Sequence, residues 1–327
     1  MSAAKHGREY DIVLIGATGY TGRMTAEHIS KELRPDRIQP TIEVVSLHQR
    51  EQVATLMRKA KVCISVVSYW NVGHEIIDAC IEKRTDYIDT SGDTILLRKW
   101  ISKYHDAATK AGVALIQPCG IFSGPHDLLT WFLVHHLEQH YQDLKTQEVI
   151  LSVKQAGLSP SGGSIENLVL QSALDAQTLR QSTEPWPNRA IVHRTWGLLG
   201  GGEVYGRSFR YNEYETVPST LFGMFKVLGV YVLMTLLGLA PFRTIMRSSF
   251  PAPGEGPDVE KVYARLEYTA GSYLVTAAFL AQGAASLLYA RKLEGGVEGG
   301  CLTPAFVGED LIERIRGAGG KIEIRFL

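Results

Sequence analysis

The stretch that decides the fold is Tyr10-Asp11-Ile12-Val13-Leu14-Ile15-Gly16-Ala17-Thr18-Gly19-Tyr20-Thr21-Gly22. Asp11 to Ile15 is a short apolar run closed by glycine, and Tyr20 to Leu33 then carries apolar or small residues at helical spacing until Pro35. The pattern is a strand, a turn and a helix, with G-x-x-G-x-x-G at the turn. Each glycine has a separate reason to be there. Gly16 permits a tight turn, Gly19 removes the side chain that would keep a ligand off the backbone, and Gly22 lets helix and strand pack closely. The helix start adds free N–H groups and a partial positive charge, so Gly16, Gly19 and Gly22, with Thr18, Tyr20 and Thr21 of the same turn, form a candidate pyrophosphate cradle. A packing turn that binds nothing is the alternative.

Outward from this turn, strands and helices alternate. Ile42 to Leu47 reads as a strand, Gln49 to Lys59 as a helix, and Lys61 to Val67 as a strand apolar enough to be buried on both faces. Helix Gly73 to Lys83, strand Asp86 to Ile88, helix Ile95 to Ala111 and strand Val113 to Gln117 follow. This alternation predicts an α/β chain: a Rossmann-like doubly wound parallel sheet over residues 1–127 and a second α+β domain over 128–327. In the second part, Glu148 to Val153, Arg207 to Glu215 and Val259 to Tyr268 read as strands. Gly162-Gly163-Ser164 opens a helix toward Ala176, and Phe209 and Tyr211 give the second strand an aromatic face.

Composition narrows the function. The 327 residues hold 34 Lys+Arg and 34 Asp+Glu, a formal charge of zero, so no basic field gathers nucleic acid. Hydrophobic residues at 45% and charged residues at 21% describe an ordinary globular chain. Cys63, Cys80, Cys119 and Cys301 are scattered and suggest neither a disulfide framework nor a zinc site, and no metal is expected. The first ten residues carry no apolar signal core, so a cytoplasmic location is expected.

The candidate chemistry lies where strands end at the carboxyl edge of the sheet. Ser68 and Tyr69 close one strand and are placed to face a nicotinamide ribose, although Tyr69 and Trp70 also suit interdomain packing. Asp89 and Asp93 flank Thr90-Ser91-Gly92 and fit as caps for the next helix. Cys119, Ser123, His126 and Asp127 follow the last strand, with His126 a candidate proton donor and Ser123 and Tyr69 candidate partners in catalysis. Pro125-His126-Asp127 reads equally well as a first helical turn. No acid stands at the tip of the Ile42 to Leu47 strand to read a ribose hydroxyl. Arg50, with His48, could meet a 2′-phosphate, which favours NADP over NAD, but both also suit a solvated helix start. No spacing suggests a hydrolase.

Leu221 to Phe242 stands apart, 22 residues with Lys226 as the single charge, followed by Arg243 and Arg247. It is long enough to span a bilayer, to lie in a membrane interface, or to be buried against an acyl chain; peripheral attachment is the expected outcome.

Three phrases, Tyr10 to Gly22, Asp86-Tyr87-Ile88-Asp89-Thr90-Ser91-Gly92-Asp93 and Cys119-Gly120-Ile121-Phe122-Ser123-Gly124-Pro125-His126-Asp127-Leu128, resemble the saccharopine dehydrogenase-like oxidoreductases, including the trans-acting enoyl reductases of polyketide and lipid pathways. Ser161 to Ser164, Pro251 to Pro257 and Leu302-Thr303-Pro304-Ala305 extend the likeness over nearly the whole chain. The resemblance implies an NAD(P)-dependent reductase acting on a hydrophobic or carrier-bound acyl substrate, with membrane or lipid-droplet contact in some relatives; a homodimer is compatible with it. It also implies a strand ending in Ala-Gly-Arg after the first helix, where this chain has only Arg34 to Pro40. Phe122 stands where relatives tend to have Asp, and Thr269-Ala270-Gly271-Ser272-Tyr273 where they have Gly-Asp-Pro-Gly-Tyr. If the missing strand abolishes redox chemistry, no cofactor is needed, and a non-redox isomerisation or cyclisation, or a membrane-associated scaffold, takes its place.

Overall fold

The computed structural model describes residues 7–33, 40–121, 123–140, 145–153, 187–215, 220–237, 266–268, 271–289 and 292–322, with single positions between 162 and 169 and at 239, 241 and 242. Strand β1 (Tyr10–Ile15) leads into helix α1 (Tyr20–Glu32). Then come α2 (Arg50–Lys59), β2 (Ala60–Ser65), α3 (Tyr69–Lys83), β3 (Asp86–Asp89), α4 (Thr94–Ala111), β4 (Ala114–Ile116) and α5 (Gly124–His140). The second half adds β5 (Glu148–Val153), α6 (Pro187–Leu198), β6 (Arg210–Glu215), α7 (Thr220–Leu237), β7 (Leu266–Glu267), α8 (Ser272–Tyr289), β8 (Gly300–Leu302), α9 (Gly308–Gly317) and β9 (Lys321–Ile322).

The main sheet has the order β1-β2-β3-β4-β8, every pair parallel. Alternation along the strands sends side chains to two cores, as a doubly wound sheet requires. Val62, Ile64, Ile88, Ala114 and Ile116 face one core, filled by Phe279 and Leu280 of α8, Leu128 and Trp131 of α5 and Leu311 of α9. Val13, Ile15, Cys63, Tyr87 and Leu115 face the other, filled by Met57 of α2, Ile76 and Ile77 of α3 and Trp100 of α4. Each fully buried side chain of this size contributes roughly 1.5–3 kcal/mol. Helix caps agree with the sequence at Asp93, whose Oδ1 accepts from the Leu96 N–H at 2.6 Å. The C-terminal part returns to the first sheet: β8 pairs with β4, and α8 lies along α1, where Gln282 meets His28 at 3.1 Å.

The strand expected at Ile42 to Leu47 does not form. Residues 40–46 run irregularly, with Ile42 91% and Val44 96% exposed, and Glu43 is tied to Tyr10 and Lys59. β1 is therefore the edge strand of the described sheet, whereas in the usual doubly wound order two strands lie beyond it.

A small parallel sheet, β5-β6, stands beside α5 and α6, and β7 pairs antiparallel with β9. The helix expected from Gly162 toward Ala176 and most of the Val259 to Tyr268 strand lie largely outside the described residues. The long apolar segment resolves as α7. A second apolar helix, α8, is also long enough to cross a membrane by length and composition, but it is 72% buried and serves as the central core helix.

Candidate active site and cofactor cleft

The glycine turn has the form a phosphate needs. Gly16 sits at φ +89°, its carbonyl accepts the Gly19 N–H at 3.0 Å, and Gly19 is the N-cap of α1. The N-cap Gly19 offers no side-chain cap and the first turn carries no acid, so the helix dipole there suits an anion. A Cβ on Gly22 would lie 1.9 Å from the Gly16 oxygen, so Gly22 is demanded by the turn itself. A Cβ on Gly19 would meet only that same oxygen, at 3.3 Å. That approach is tight but far less severe than at Gly22, so the fold asks less of Gly19 than of Gly22. The turn residues Ala17 and Thr18 are exposed, and Tyr20 and Thr21 are half-buried at its inner end. These residues fit the pyrophosphate of a dinucleotide.

Ser68 caps α3 at the end of β2, and Tyr69 begins that helix earlier than expected, at the carboxyl edge. Burial, followed by Asp93 and Asp89, holds the Tyr69 hydroxyl well above the usual phenol range, so it stays protonated. Asp89 is buried and accepts from Tyr87, from Ser91 and from Gln117. It is a structural carboxylate that knits the ends of β3 and β4. Cys119 is fully buried beside the Phe279 carbonyl, and burial raises its thiol, which removes it as a nucleophile.

Arg50 is not brought to this edge. Its guanidinium pairs with Glu82 at 3.3 Å, near the far end of α3. Thirteen helical residues separate Glu82 from Tyr69, roughly 20 Å at 1.5 Å per residue.

The loop after β4 carries the densest polar construction. Ser123 Oγ donates to Asn188 Oδ1 at 3.0 Å, and Asn188 Nδ2 donates to Glu213, at 2.9 Å to Oε2 and 3.2 Å to Oε1. The Tyr211 hydroxyl donates to Glu213 Oε2 at 3.3 Å, and His126 Nε2 lies 3.9 Å from the same oxygen. Burial lowers the His126 imidazole, with Glu213 pulling it back upward. Asp127, adjacent in sequence, turns away: Thr195 donates to Oδ1 and the Ala305 N–H donates to Oδ2 at 2.8 Å. Burial pushes its carboxyl up to about 6. Ser123 and His126 were legible as candidates; Asn188, Tyr211 and Glu213 were not. The signal for Glu213 was its phase, two residues after the buried Tyr211 of β6 and four after the buried Phe209 that precedes the strand.

The two constructions are connected. Tyr20 of the glycine turn packs edge-on against Tyr273 at 4.9 Å, whose hydroxyl meets Ser164 at 2.9 Å. One turn along α8, Thr276 accepts the Ile121 N–H at 3.2 Å in the loop that leads to Ser123. The ends of β1 and β4 are three strand spacings apart, about 14 Å.

Comparison with known proteins finds similarity over nearly the whole chain. Residues 36–116 match the saccharopine dehydrogenase NADP-binding domain, a span that begins after the glycine turn. A trans-acting enoyl reductase of Mycobacterium leprae is 27% identical over 410 aligned positions, 95% of this chain and 97% of the relative. One from Mycobacterium bovis is 25% identical with the same coverages. A Mycobacterium tuberculosis protein whose enoyl reductase name is provisional is 26% identical over 412 positions, 97% of each chain. The chain is an NAD(P)-dependent oxidoreductase similar to these proteins. Those alignments are longer than its own 327 residues, so this oxidoreductase carries deletions relative to its relatives, consistent with the sheet edge at β1. The saccharopine dehydrogenase (L-Glu forming) of Saccharomyces cerevisiae matches at a TM-score of 0.34 and 14% identity, over 47% of this chain and 37% of that one. That overlap is too low to carry the fold, which rests on strand order. The chain uses a nicotinamide dinucleotide, and its matched domain is named for NADP.

Proposed function

We propose that the protein is an enoyl reductase that reduces an activated C=C bond of a polyketide-like or other acyl substrate, using NADPH. The observation that carries this is the uncapped α1 N-terminus behind Gly16–Gly19, with a protected polar cluster at the β4 end of the same sheet edge. The enoyl reductase names of the relatives, over nearly the full length of both chains, support the substrate class. A bound nicotinamide would supply the hydride. The chain's own residues would do the rest: the glycine turn and α1 seat the pyrophosphate, Ser68 and Tyr69 border the ribose side, and the loop from Ser123 to His126 lies where a proton is needed. The non-redox and scaffold readings find no support in these similarities.

The apolar helix α7 favours one further element of the proposal. Met224, Phe225, Leu228, Tyr231 and Val232 are exposed and recur at spacings that place them on one face of the helix. Such a face suits a lipid surface or a long acyl chain, and we infer peripheral membrane contact for a protein acting on the cytoplasmic side.

The test is direct. The purified chain, given NADPH and a short 2-enoyl thioester, is expected to consume nicotinamide absorbance and yield the saturated thioester. NADPH binding with no turnover across enoyl thioesters of several lengths would contradict the reaction class.

A further inference from the structure

We propose that Glu213 and His126 form the proton-donating pair of this site, with Glu213 delivering the proton and Asn188 positioning it. The inference rests on the enoyl reductase reading and names the acid that reading lacks. Ser123, Asn188, Tyr211 and His126 are nearly wholly buried, whereas the Glu213 side chain is 23% exposed. Glu213 is thus the open end of a buried polar string, the one member that a substrate atom reaches without displacing protein.

Each bond in the string has a defined direction. Asn188 accepts from Ser123 through Oδ1, which leaves its Nδ2 to donate to the carboxylate, and Tyr211 donates to the same group. Both partners hold Glu213 in place through its oxygen lone pairs. Among the described titratable groups packed around the imidazole, Asp127 of α5 is occupied by Thr195 and Ala305, and Tyr211 of β6 is committed to Glu213. Glu213 alone of them faces the ring. His126 Nδ1 is buried with no hydrogen-bond partner among the described residues, a costly arrangement in a purely structural histidine. The Nε2–Oε2 separation of 3.9 Å is one that tightens readily when a ligand closes over the pair.

The step balances. A bound reduced nicotinamide would supply hydride to the β-carbon of the enoyl thioester and be oxidised, and the electron pair of the C=C bond would move toward the carbonyl. The acid O–H bond of Glu213 then breaks as a C–H bond forms at the α-carbon. The carboxylate left behind is reprotonated from solvent through its exposed side, with the imidazole buffering the charge.

Two measurements on the full chain test this. In the first, the His126 imidazole is titrated by NMR in wild type and Glu213→Gln. The carboxylate raises the imidazole, so its removal is expected to lower the midpoint by about half a pH unit or more; an unchanged midpoint overturns the pair. In the second, NADPH consumption with a 2-enoyl thioester is expected to fall in kcat by ~100-fold or more in Glu213→Gln. NADPH affinity and melting temperature should stay near wild type, and Glu213→Asp should recover part of the rate. Asn188→Asp, which loses the amide donor, is expected to move the pH profile of kcat. Wild-type turnover matched by Glu213→Gln would overturn the pair and leave the reductase reading intact. Failure of wild type to bind NADPH would overturn that reading, while the titration still judges the pair.

Discussion

The two ends of the main sheet are built on opposite terms. At the β1 end the sheet stops at a strand with no partner on its outer side among the described residues, beside a helix N-terminus that no side chain of Gly19 caps. At the other end Asp89 and Asp127 are buried and answered by hydroxyl, amide or backbone donors. The open end offers a phosphate little but backbone. The sealed end holds side chains in fixed places, which is what proton transfer demands. The difference teaches that this chain has economised on cofactor recognition and not on the site of chemistry.

The strongest way to break the comparison is within the glycine turn itself. Gly22→Ala places a methyl 1.9 Å from the Gly16 oxygen and 2.9 Å from the Ala17 Cα, against backbone that cannot give way. A loss of about 3 kcal/mol or more in denaturant unfolding is expected. Gly19→Ala, whose Cβ has 3.3 Å of clearance, should leave unfolding close to wild type and weaken nucleotide binding instead. Equal stability losses at the two positions would erase the distinction between a glycine required by packing and one required by a ligand.

At the sealed end, Asp127 offers a pH signature. Its carboxyl is raised by burial to about 6 in the folded state, above the ordinary 3.8 of an unfolded chain. The folded state therefore holds the proton more tightly, so this group's contribution is most favourable below pH 4 and is lost as pH rises through 6. The span is on the order of 3 kcal/mol. Asp127→Asn can still accept from Ala305 and donate to Thr195, so the difference between wild-type and variant stability should shift in favour of wild type by that order as pH falls from 7 to 4. A difference that stays flat across this window would show that the carboxylate is not strained by its burial.

The smallest effect is expected at Arg50. Its pairing with Glu82 is an exposed ion pair of a kind that contributes little. Arg50→Ala should leave the melting temperature and the ratio of NADPH to NADH affinity unchanged. A narrowed ratio would mean that Arg50 leaves Glu82 to read the 2′-phosphate, and would restore the role its sequence position suggests.

Much of the first domain was legible because its signals are local. The glycine turn, the apolar strands and the Asp93 cap depend on spacing and on side chains acting within a few residues of themselves. Ile42 to Leu47 misled for the same reason: β-branched residues favour a strand where a neighbour pairs with them, and here Ile42 and Val44 stay exposed and join no sheet among the described residues. The catalytic cluster was half legible. Ser123 and His126 follow a strand at the ligand edge, but Asn188 and Glu213 arrive from elements 65 and 90 residues further along, at the start of one helix and in the middle of one strand. β8 is the extreme case, three residues between glycine-rich flanks whose place beside β4 is a matter of tertiary pairing alone.

The central claim is that the glycine turn holds the dinucleotide while its adenosine end goes largely unread. Calorimetric titration of wild type and Gly19→Val with NADPH and with NADH tests it most directly. Wild type is expected to bind both nucleotides with affinities within about tenfold of each other, since each lost charge-assisted contact to the 2′-phosphate forgoes roughly 1.5–3 kcal/mol of preference. Gly19→Val, with a branched side chain against the pyrophosphate, is expected to bind neither. A strong preference for NADPH, or binding that survives in Gly19→Val, would contradict the account.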